Sequence, residues 1–307
     1  MKALITGING FVGGHLSALL LKNGFEVSGA DTEKNSKVQG VTYFQADIVA
    51  KDIVYIIKKS KPDLIFHLAA ISAVKICKEN PRLTKKVNVD GTTNLLSACV
   101  ENKINPKILV TSSAHVYGIP KCLPIDEDHP LNPINEYGRS KLEQENVALH
   151  FFREHKLNII ISRSFNHIGP NQSTGFVCSD FAKQVAEIEK DVVKPEIHVG
   201  NLNTKRDFTD VRDIVRAYIL LLENGTPGEI YNIGTGNGYS IKEILNILFA
   251  KSNVDIKVVE DKLLVREQDI PTLIANNKKF VSLTKWTPKF SIDQSLTDIL
   301  NYWRTLV

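Results

Sequence analysis

Residues Thr6 to His15, Thr-Gly-Ile-Asn-Gly-Phe-Val-Gly-Gly-His, restrict this 307-residue chain more than any other stretch. The run Lys-Ala-Leu-Ile-Thr before it reads as a short buried strand. The residues after it read as a helix to about Asn23, with Phe11, Leu16, Leu19 and Leu20 as its apolar positions and Gly24 as its stop. Strand, glycine turn and helix together give the context that phosphate binding needs. Gly7 permits the tight turn, Gly10 lets backbone approach a pyrophosphate, and Gly13 lets the helix lie close to the strand. The helix N-terminus then offers free N–H groups and a positive dipole end to an anion. The spacing is GxxGxxG, not GxGxxG. Asn9, Phe11 and Val12 fall within the same turn and join the candidate cofactor-binding set.

The second strand ends at Asp31, roughly twenty residues past the glycines. A carboxylate there accepts hydrogen bonds from ribose hydroxyls and repels a 2′-phosphate. NAD(H) is therefore the expected cofactor, and Lys34 and Lys37 nearby keep NADP(H) open. The alternation continues with a strand at 41–45, leading to Asp47 and Ile48 as an adenine-edge contact. A helix is expected at 53–59 and a strand at 64–67, which runs into Leu68, Ala69 and Ala70. These small residues allow backbone to pass beside a cofactor. A long helix is expected at about 84–102, with Asn88 on it, then a strand at 107–111 that ends in Ser112 and Ser113. Strands separated by helices of this length predict an α/β fold with a doubly wound parallel sheet. Ligands of such sheets bind at the carboxyl ends of the strands, where Asp31, Ala69, Ala70, Ser112 and Ser113 fall.

The proline-rich loop after Ser113 leads to Tyr137-Gly138-Arg139-Ser140-Lys141, the start of a helix expected at 137–155. Tyrosine and lysine four residues apart share one helix face. A nearby ammonium lowers the phenol pKa and suits it for proton transfer. Ser113 can then donate to a substrate oxygen while Lys141 holds the nicotinamide ribose. This set describes hydride transfer at a carbinol or ketone carbon. Thr111 and Ser112 stay in the candidate set, because the sequence leaves open which hydroxyl points inward.

TGINGFVG, HLAA at 67–70, NVDGT at 88–92, SSAHVYG at 112–118 and YGRSK at 137–141 resemble the motifs of the extended short-chain dehydrogenase family. The resemblance covers essentially the whole chain. It implies a Rossmann domain (1–164 plus about 208–235) and a smaller C-terminal α/β domain (about 165–207 and 236–307) that binds a nucleotide-sugar. FNHIGPNQS, VGNLNTKRDFTDVRDIV and VREQDIPTLI are similar to segments of GDP-mannose 4,6-dehydratases, and closer still to GDP-4-keto-6-deoxy-mannose reductases. By that resemblance Asn166, Lys183, Arg206 and Arg266 contact the nucleotide-sugar, Asp269 reaches the nucleoside ribose, and the substrate is GDP-linked. One departure stands out. Dehydratases of this kind carry a glutamate two residues before the tyrosine of the xYG motif, often next to an aspartate. Here Ala114 and His115 hold those places, which favours a 4-keto reductase, or a 4-epimerase, over a dehydratase. His115 stands as a substrate-pocket candidate.

Composition narrows the remaining classes. Charged residues make up 23% of the chain and the net charge is +4, with no basic block of the kind that binds nucleic acid. Cys77, Cys99, Cys122 and Cys178 show neither CxxC nor zinc spacing, so no metal site is expected. The N-terminal residues show no signal-peptide pattern and no apolar run is long enough to span a bilayer. The expectation is a cytoplasmic protein. Relatives are often homodimers through a helix pair, for which 84–102 and 137–155 are the candidates.

Overall fold

The computed structural model describes residues 1–265 and 269–307. β1 (Lys2–Thr6), α1 (Phe11–Lys22), β2 (Glu26–Asp31) and β3 (Thr42–Gln45) form the first winding unit. α2 (Asp52–Ser60), β4 (Leu64–His67), α3 (Val74–Glu79), α4 (Pro81–Lys85) and α5 (Gly91–Glu101) follow. β5 (Lys107–Ser113), α6 (Glu136–His155), β6 (Ile159–Ser164), β7 (Asn166–Ile168) and α7 (Val177–Glu189) come next. The chain continues through β8 (Glu196–Val199), β9 (Lys205–Asp210), α8 (Val211–Asn224), β10 (Ile230–Ile233) and β11 (Gly238–Ser240). It ends with α9 (Ile241–Phe249), β12 (Lys257–Glu260), β13 (Thr272–Leu273), α10 (Lys278–Thr284) and α11 (Ile292–Arg304).

Seven strands form one parallel sheet in the order β10-β6-β5-β4-β1-β2-β3. The chain winds outward in one direction through β2 and β3, then returns to β4 and winds the other way. The reversal lies between β1 and β4, and the glycine turn leaves β1 at that point, where open α/β sheets bind ligands. β4 and β6 are buried along their whole length, as expected of strands covered on both faces. Leu16 and Leu20 of α1 pack with Ile214, Tyr218 and Leu221 of α8 on one face. Ile53, Leu95, Leu96, Ala148 and Phe151 from α2, α5 and α6 cover the other. A separate core joins α7, α9 and α11 through Phe181, Val185, Ile244, Leu248, Leu296 and Ile299. Beside it β7, β9, β11 and β13 form a second small sheet, and β8 pairs with β12.

Two elements differ from expectation in ways that bear on the site. β5 runs to Ser113, so Ser112 and Ser113 are strand residues with side chains on opposite faces. The helix expected at 84–102 begins at Pro81 and contains one wide π-helical turn over Lys86–Asp90. Such turns are frequent at functional sites. This one holds Asn88 fully buried. α7 starts at Val177, and the Asp180 carboxylate accepts from Gly175 N–H at 2.8 Å just ahead of it.

The long loop between β5 and α6 is tied down by a buried ion pair. Arg163 on β6 meets Glu145 on α6 at 2.8 Å, with side chains 3% and 2% exposed. Arg163 also donates to the Tyr117 hydroxyl and the Glu127 carbonyl, and Tyr117 donates to Asn232 on β10. Removing one partner strands a buried charge. We expect Arg163→Met to destabilise the fold by about 3–5 kcal/mol in urea unfolding. The double variant Arg163→Met/Glu145→Met should recover much of that loss; a double variant less stable than the single would refute this account.

Candidate active site

The carboxyl ends of β1, β4, β5 and β6 open into a cleft of about 750 Å³, the size of a cofactor or small-ligand pocket. Gly7, Gly10, Phe11, Val12 and Gly13 line one end. Gly7 takes the left-handed conformation at φ +74°, and a Cβ there would lie 2.9 Å from the Ala69 nitrogen. At Gly13 a Cβ would overlap the carbonyl oxygens of Gly7 and Ile8. The helix therefore sits directly against the turn. No side chain caps the N-terminus of α1, so its first N–H groups face the cleft. This cradle fits the pyrophosphate of a dinucleotide.

Asp31 stands at the end of β2 beside the cradle. Its carboxylate accepts from Asn9 N–H at 3.0 Å and Thr32 N–H at 2.8 Å. The Asn9 side chain in turn accepts from Lys37 N–H and donates to the Asn35 carbonyl. The Lys37 ammonium is engaged by Glu33 at 2.6 Å, which offsets its attraction for a phosphate. Asp47 is exposed and its carboxylate accepts from Val49 N–H. Ile48 is buried against Gly91. Leu68 and Ala70 line the cleft, while Ala69 N–H donates to Thr6 Oγ1 at 3.3 Å. Asn88 does not reach the cleft. Its amide accepts from Ile71 N–H and donates to the Ile71 carbonyl and Ser140 Oγ, so it braces the loop after β4.

Ser113, Tyr137 and Lys141 converge on the cleft wall. Asn135 caps α6 by accepting from Gly138 N–H at 2.8 Å, and a Cβ at Gly138 would lie 2.5 Å from the His115 carbonyl oxygen. That contact seats Tyr137 against the turn after β5. The alternation of β5 puts Ser112 on the face opposite Thr111 and Ser113, and hydrogen bonding then separates those two. Ser112 Oγ donates to buried Glu145, and Thr111 Oγ1 donates to the His67 carbonyl at 2.9 Å. The Ser113 hydroxyl remains on the Tyr137 side of the cleft wall.

The electrostatics of the pair differ from expectation. Burial raises the Tyr137 phenol above its ordinary value, and the nearby Ser113 hydroxyl opposes this only in part. The Lys141 ammonium lies 6.0 Å from the ring centroid and is itself 2% exposed. Its desolvation lowers it to about 8, against the opposing influence of Cys77 and Glu145. Withdrawal from water thus outweighs the mutual effect expected from helix spacing.

The other end of the cleft carries the expected substrate residues. Asn166, Lys183, Arg206 and Asp269 all line it. Arg206 is 7% exposed and meets Asp269 at 2.8 Å. Lys183 pairs with Glu187 at 3.3 Å and lies over the Trp303 ring. Arg266 lies outside the described residues. The sequence reading missed Tyr218 and Ser164, whose hydroxyls bond at 2.8 Å on the cleft floor. It also missed Phe11 stacking on His167 with centroids 6.2 Å apart. Tyr218 sits on the apolar face of α8 and carried no signal of its own. Among the described residues no group of three or more His, Cys, Asp or Glu could hold a metal ion.

Comparison with known proteins places this geometry in a family. The family model described as GDP-mannose 4,6 dehydratase matches residues 4–299. GDP-6-deoxy-D-mannose reductase of Pseudomonas aeruginosa is 31% identical over 308 residues, covering 100% of this chain and 98% of that protein. GDP-6-deoxy-D-talose 4-dehydrogenase of Aggregatibacter actinomycetemcomitans is 33% identical, covering 92% and 91%. The solved structure of RMD from Pseudomonas aeruginosa complexed with NADPH superposes with a TM-score of 0.90 at 30% identity, covering 100% and 99%. UDP-glucose 4-epimerase of Thermus thermophilus, complexed with NAD, also gives 0.90, at 26% identity and 100% coverage of both chains. The match over residues 4–299 and the full-length relative at 31% identity show that the chain belongs to the GDP-mannose 4,6 dehydratase family, of the extended short-chain dehydrogenase type.

Proposed function

We propose that the protein is a nucleotide-sugar 4-keto reductase that uses NAD(P)H to reduce C4 of a GDP-4-keto-6-deoxy-hexose. The observation that carries this reading is the state of His115. Asn135 Oδ1 accepts from Gly138 N–H, so the Asn135 NH₂ group faces His115 Nδ1, at 3.1 Å. Nδ1 is then the acceptor and the neutral imidazole carries its proton on Nε2. His115 therefore presents a donor at the place where dehydratases present a carboxylate, and Ala114 beside it offers no polar group. Water elimination lacks a proton acceptor there. Carbonyl reduction needs none.

The reduced nicotinamide, when bound, supplies the hydride. The chain's own residues do the rest. The glycine cradle holds the pyrophosphate. Tyr137, kept protonated by its burial, gives its proton to the oxygen developing charge at C4. Ser113 donates to the same oxygen, and Lys141 supplies positive charge beside it. Arg206 and Lys183 suit the diphosphate, Asn166 the adjoining sugar, and Asp269 and Arg266 the nucleoside. In this reading residues 1–164 and about 208–235 serve the cofactor, and about 165–207 and 236–307 the nucleotide-sugar. The four free thiols fit a reducing cytoplasm, and exposed Leu83 on α4 fits a homodimer packed on α4–α6.

A second reading, a 4-epimerase, is favoured by Asp31 alone. A carboxylate at the end of β2 prefers NAD(H), and an epimerase retains that cofactor through turnover. Incubation with GDP-4-keto-6-deoxy-mannose and NADH or NADPH separates the two. Stoichiometric oxidation of the reduced cofactor is expected. Interconversion of sugars without net oxidation means the epimerase, and inertness with every nucleotide-sugar tried sinks both.

Tyr137→Phe should lower kcat by about 10²–10⁴-fold while cofactor binding stays nearly unchanged; substantial residual turnover would remove the tyrosine from proton transfer. Asp31→Ala should weaken NAD(H) relative to NADP(H) in fluorescence titrations, and an unaltered ratio would show that Asp31 does not meet the ribose.

A further inference from the structure

Behind Lys141 runs a chain of buried polar groups that the proposed reaction does not use. Lys141 Nζ donates to the Thr111 carbonyl at 2.8 Å and to Gln144 Oε1 at 2.9 Å. Gln144 Nε2 donates to Thr92 Oγ1 at 2.8 Å. Thr92 Oγ1 gives its only proton to the Asn88 carbonyl at 2.7 Å. His67 Nε2 lies 2.8 Å from the same oxygen, so Nε2 must donate to it. Thr6 Oγ1 lies 2.8 Å from His67 Nδ1 and accepts from Ala69 N–H. His67, Thr92 and Gln144 are each 0% exposed.

Every proton in this chain has one consistent place. His67 must be neutral with its proton on Nε2. A second proton on Nδ1 would face Thr6 Oγ1, whose own proton would then have no acceptor. Burial and the nearby Lys141 charge agree, lowering His67 to about 3. The chain links two parts of the site that are far apart in sequence. One end is the residue before Gly7 and the backbone of Ala69. The other is the ammonium beside Tyr137. Two of the three ammonium N–H groups are spent inside, which leaves one for the cleft.

We propose that Gln144 and His67 are positioning residues for Lys141: His67 orients Thr92, Thr92 fixes the Gln144 amide, and Gln144 holds the ammonium in place and charged. The proposal rests on the role given above to Lys141. An amide is the acceptor this position calls for. A carboxylate would neutralise the ammonium, and an apolar group would leave a buried charge unpaired.

Other titratable groups near Lys141 are Tyr137 and Glu145 on its own helix, Cys77 on α3 and His67 on β4. Glu145 is held by Arg163 and Ser112. Burial raises the Cys77 thiol and the Tyr137 phenol and lowers His67. Lys141 is therefore the group of this cluster that titrates near pH 8.

The test follows Lys141 directly and needs no substrate. In protein labelled with ¹³C-lysine, the Lys141 ε-carbon resonance is assigned by its loss in Lys141→Arg and titrated with pH. The wild-type midpoint is expected near 8. Gln144→Glu should raise it and Gln144→Met should lower it, each by about one pH unit or more. His67→Asn keeps a partner for Thr6 but loses the donor to Thr92, and should shift the midpoint. His67→Gln keeps the Nε2 donor and should restore it. Where His67→Asn fails to fold, Thr92→Val breaks the same link. Midpoints of Gln144→Glu and Gln144→Met on the same side of wild type, or superposed on it, overturn the role of Gln144. An unmoved midpoint in both His67→Asn and Thr92→Val overturns that of His67. Absence of keto reduction by the wild type would instead count against the proposed function, since the lysine titration is independent of it.

Discussion

Everything at the site depends on one steric constraint, the absence of side chains where β1, the glycine turn and α1 meet. A Cβ at Gly7 would press on the backbone after β4, and one at Gly13 would overlap the turn's own carbonyl oxygens. Because neither exists, α1 starts against the sheet at its switch point, with N–H groups uncapped and facing the cleft. The same closeness brings Ala69 N–H to Thr6, and through Thr6 to His67. The geometry that suits a phosphate is thus also where the polar chain to Lys141 begins. Substituting either glycine would act on both.

Local sequence made the layered architecture legible. The strands at 2–6 and 64–67 lie where their apolar patterns put them. These patterns are local, and periodicity reports local structure. Tyr137 and Lys141 were legible for the same reason, as was the glycine turn. What was hidden depends on contacts between distant segments. Nothing around Asn88 announces that a π-helical turn will carry it inward to bond Ile71 and Ser140. Arg163 sits at the end of an apolar strand and finds Glu145 only when β6 lies under α6. The choice among Thr111, Ser112 and Ser113 became readable only in the folded chain: strand alternation sets Ser112 apart, and the His67 carbonyl, distant in sequence, takes the Thr111 hydroxyl.

The Tyr137–Lys141 pair shows why spacing alone misleads about charge. Helical neighbours in water influence one another weakly, and the expectation was a phenol eased toward ionisation. In the folded chain Lys141 is withdrawn from water and Tyr137 partly so, and desolvation disfavours the charged form of each. The phenol moves up and the ammonium moves down. A tyrosine so displaced holds its proton until a stronger base forms beside it. An alkoxide growing at a carbonyl oxygen is such a base. The displacement therefore suits donation during reduction, and removing a proton from an alcohol would have to work against it.

The polar groups around the tyrosine make the same point by their sign. Ser113 offers a hydroxyl, Lys141 an ammonium N–H, and His115 an imidazole whose Nδ1 is already occupied by Asn135. Glu145 lies close in sequence but is turned away, its oxygens held by Arg163 and Ser112. The wall of the cleft thus meets the substrate with donors and with no free carboxylate from this helix. Donors fixed in a partly dry site stabilise negative charge that develops there, and they do so without reorganising. Elimination makes the opposite demand, an acceptor for a carbon-bound proton. The same scaffold could meet it by exchanging Ala114 and His115 for carboxyl residues, since Gly138 and Asn135 would still seat the tyrosine. On the proposed reading the two residues that follow β5 separate reduction from elimination, while the strand ends, the glycine cradle and the lysine brace stay as they are.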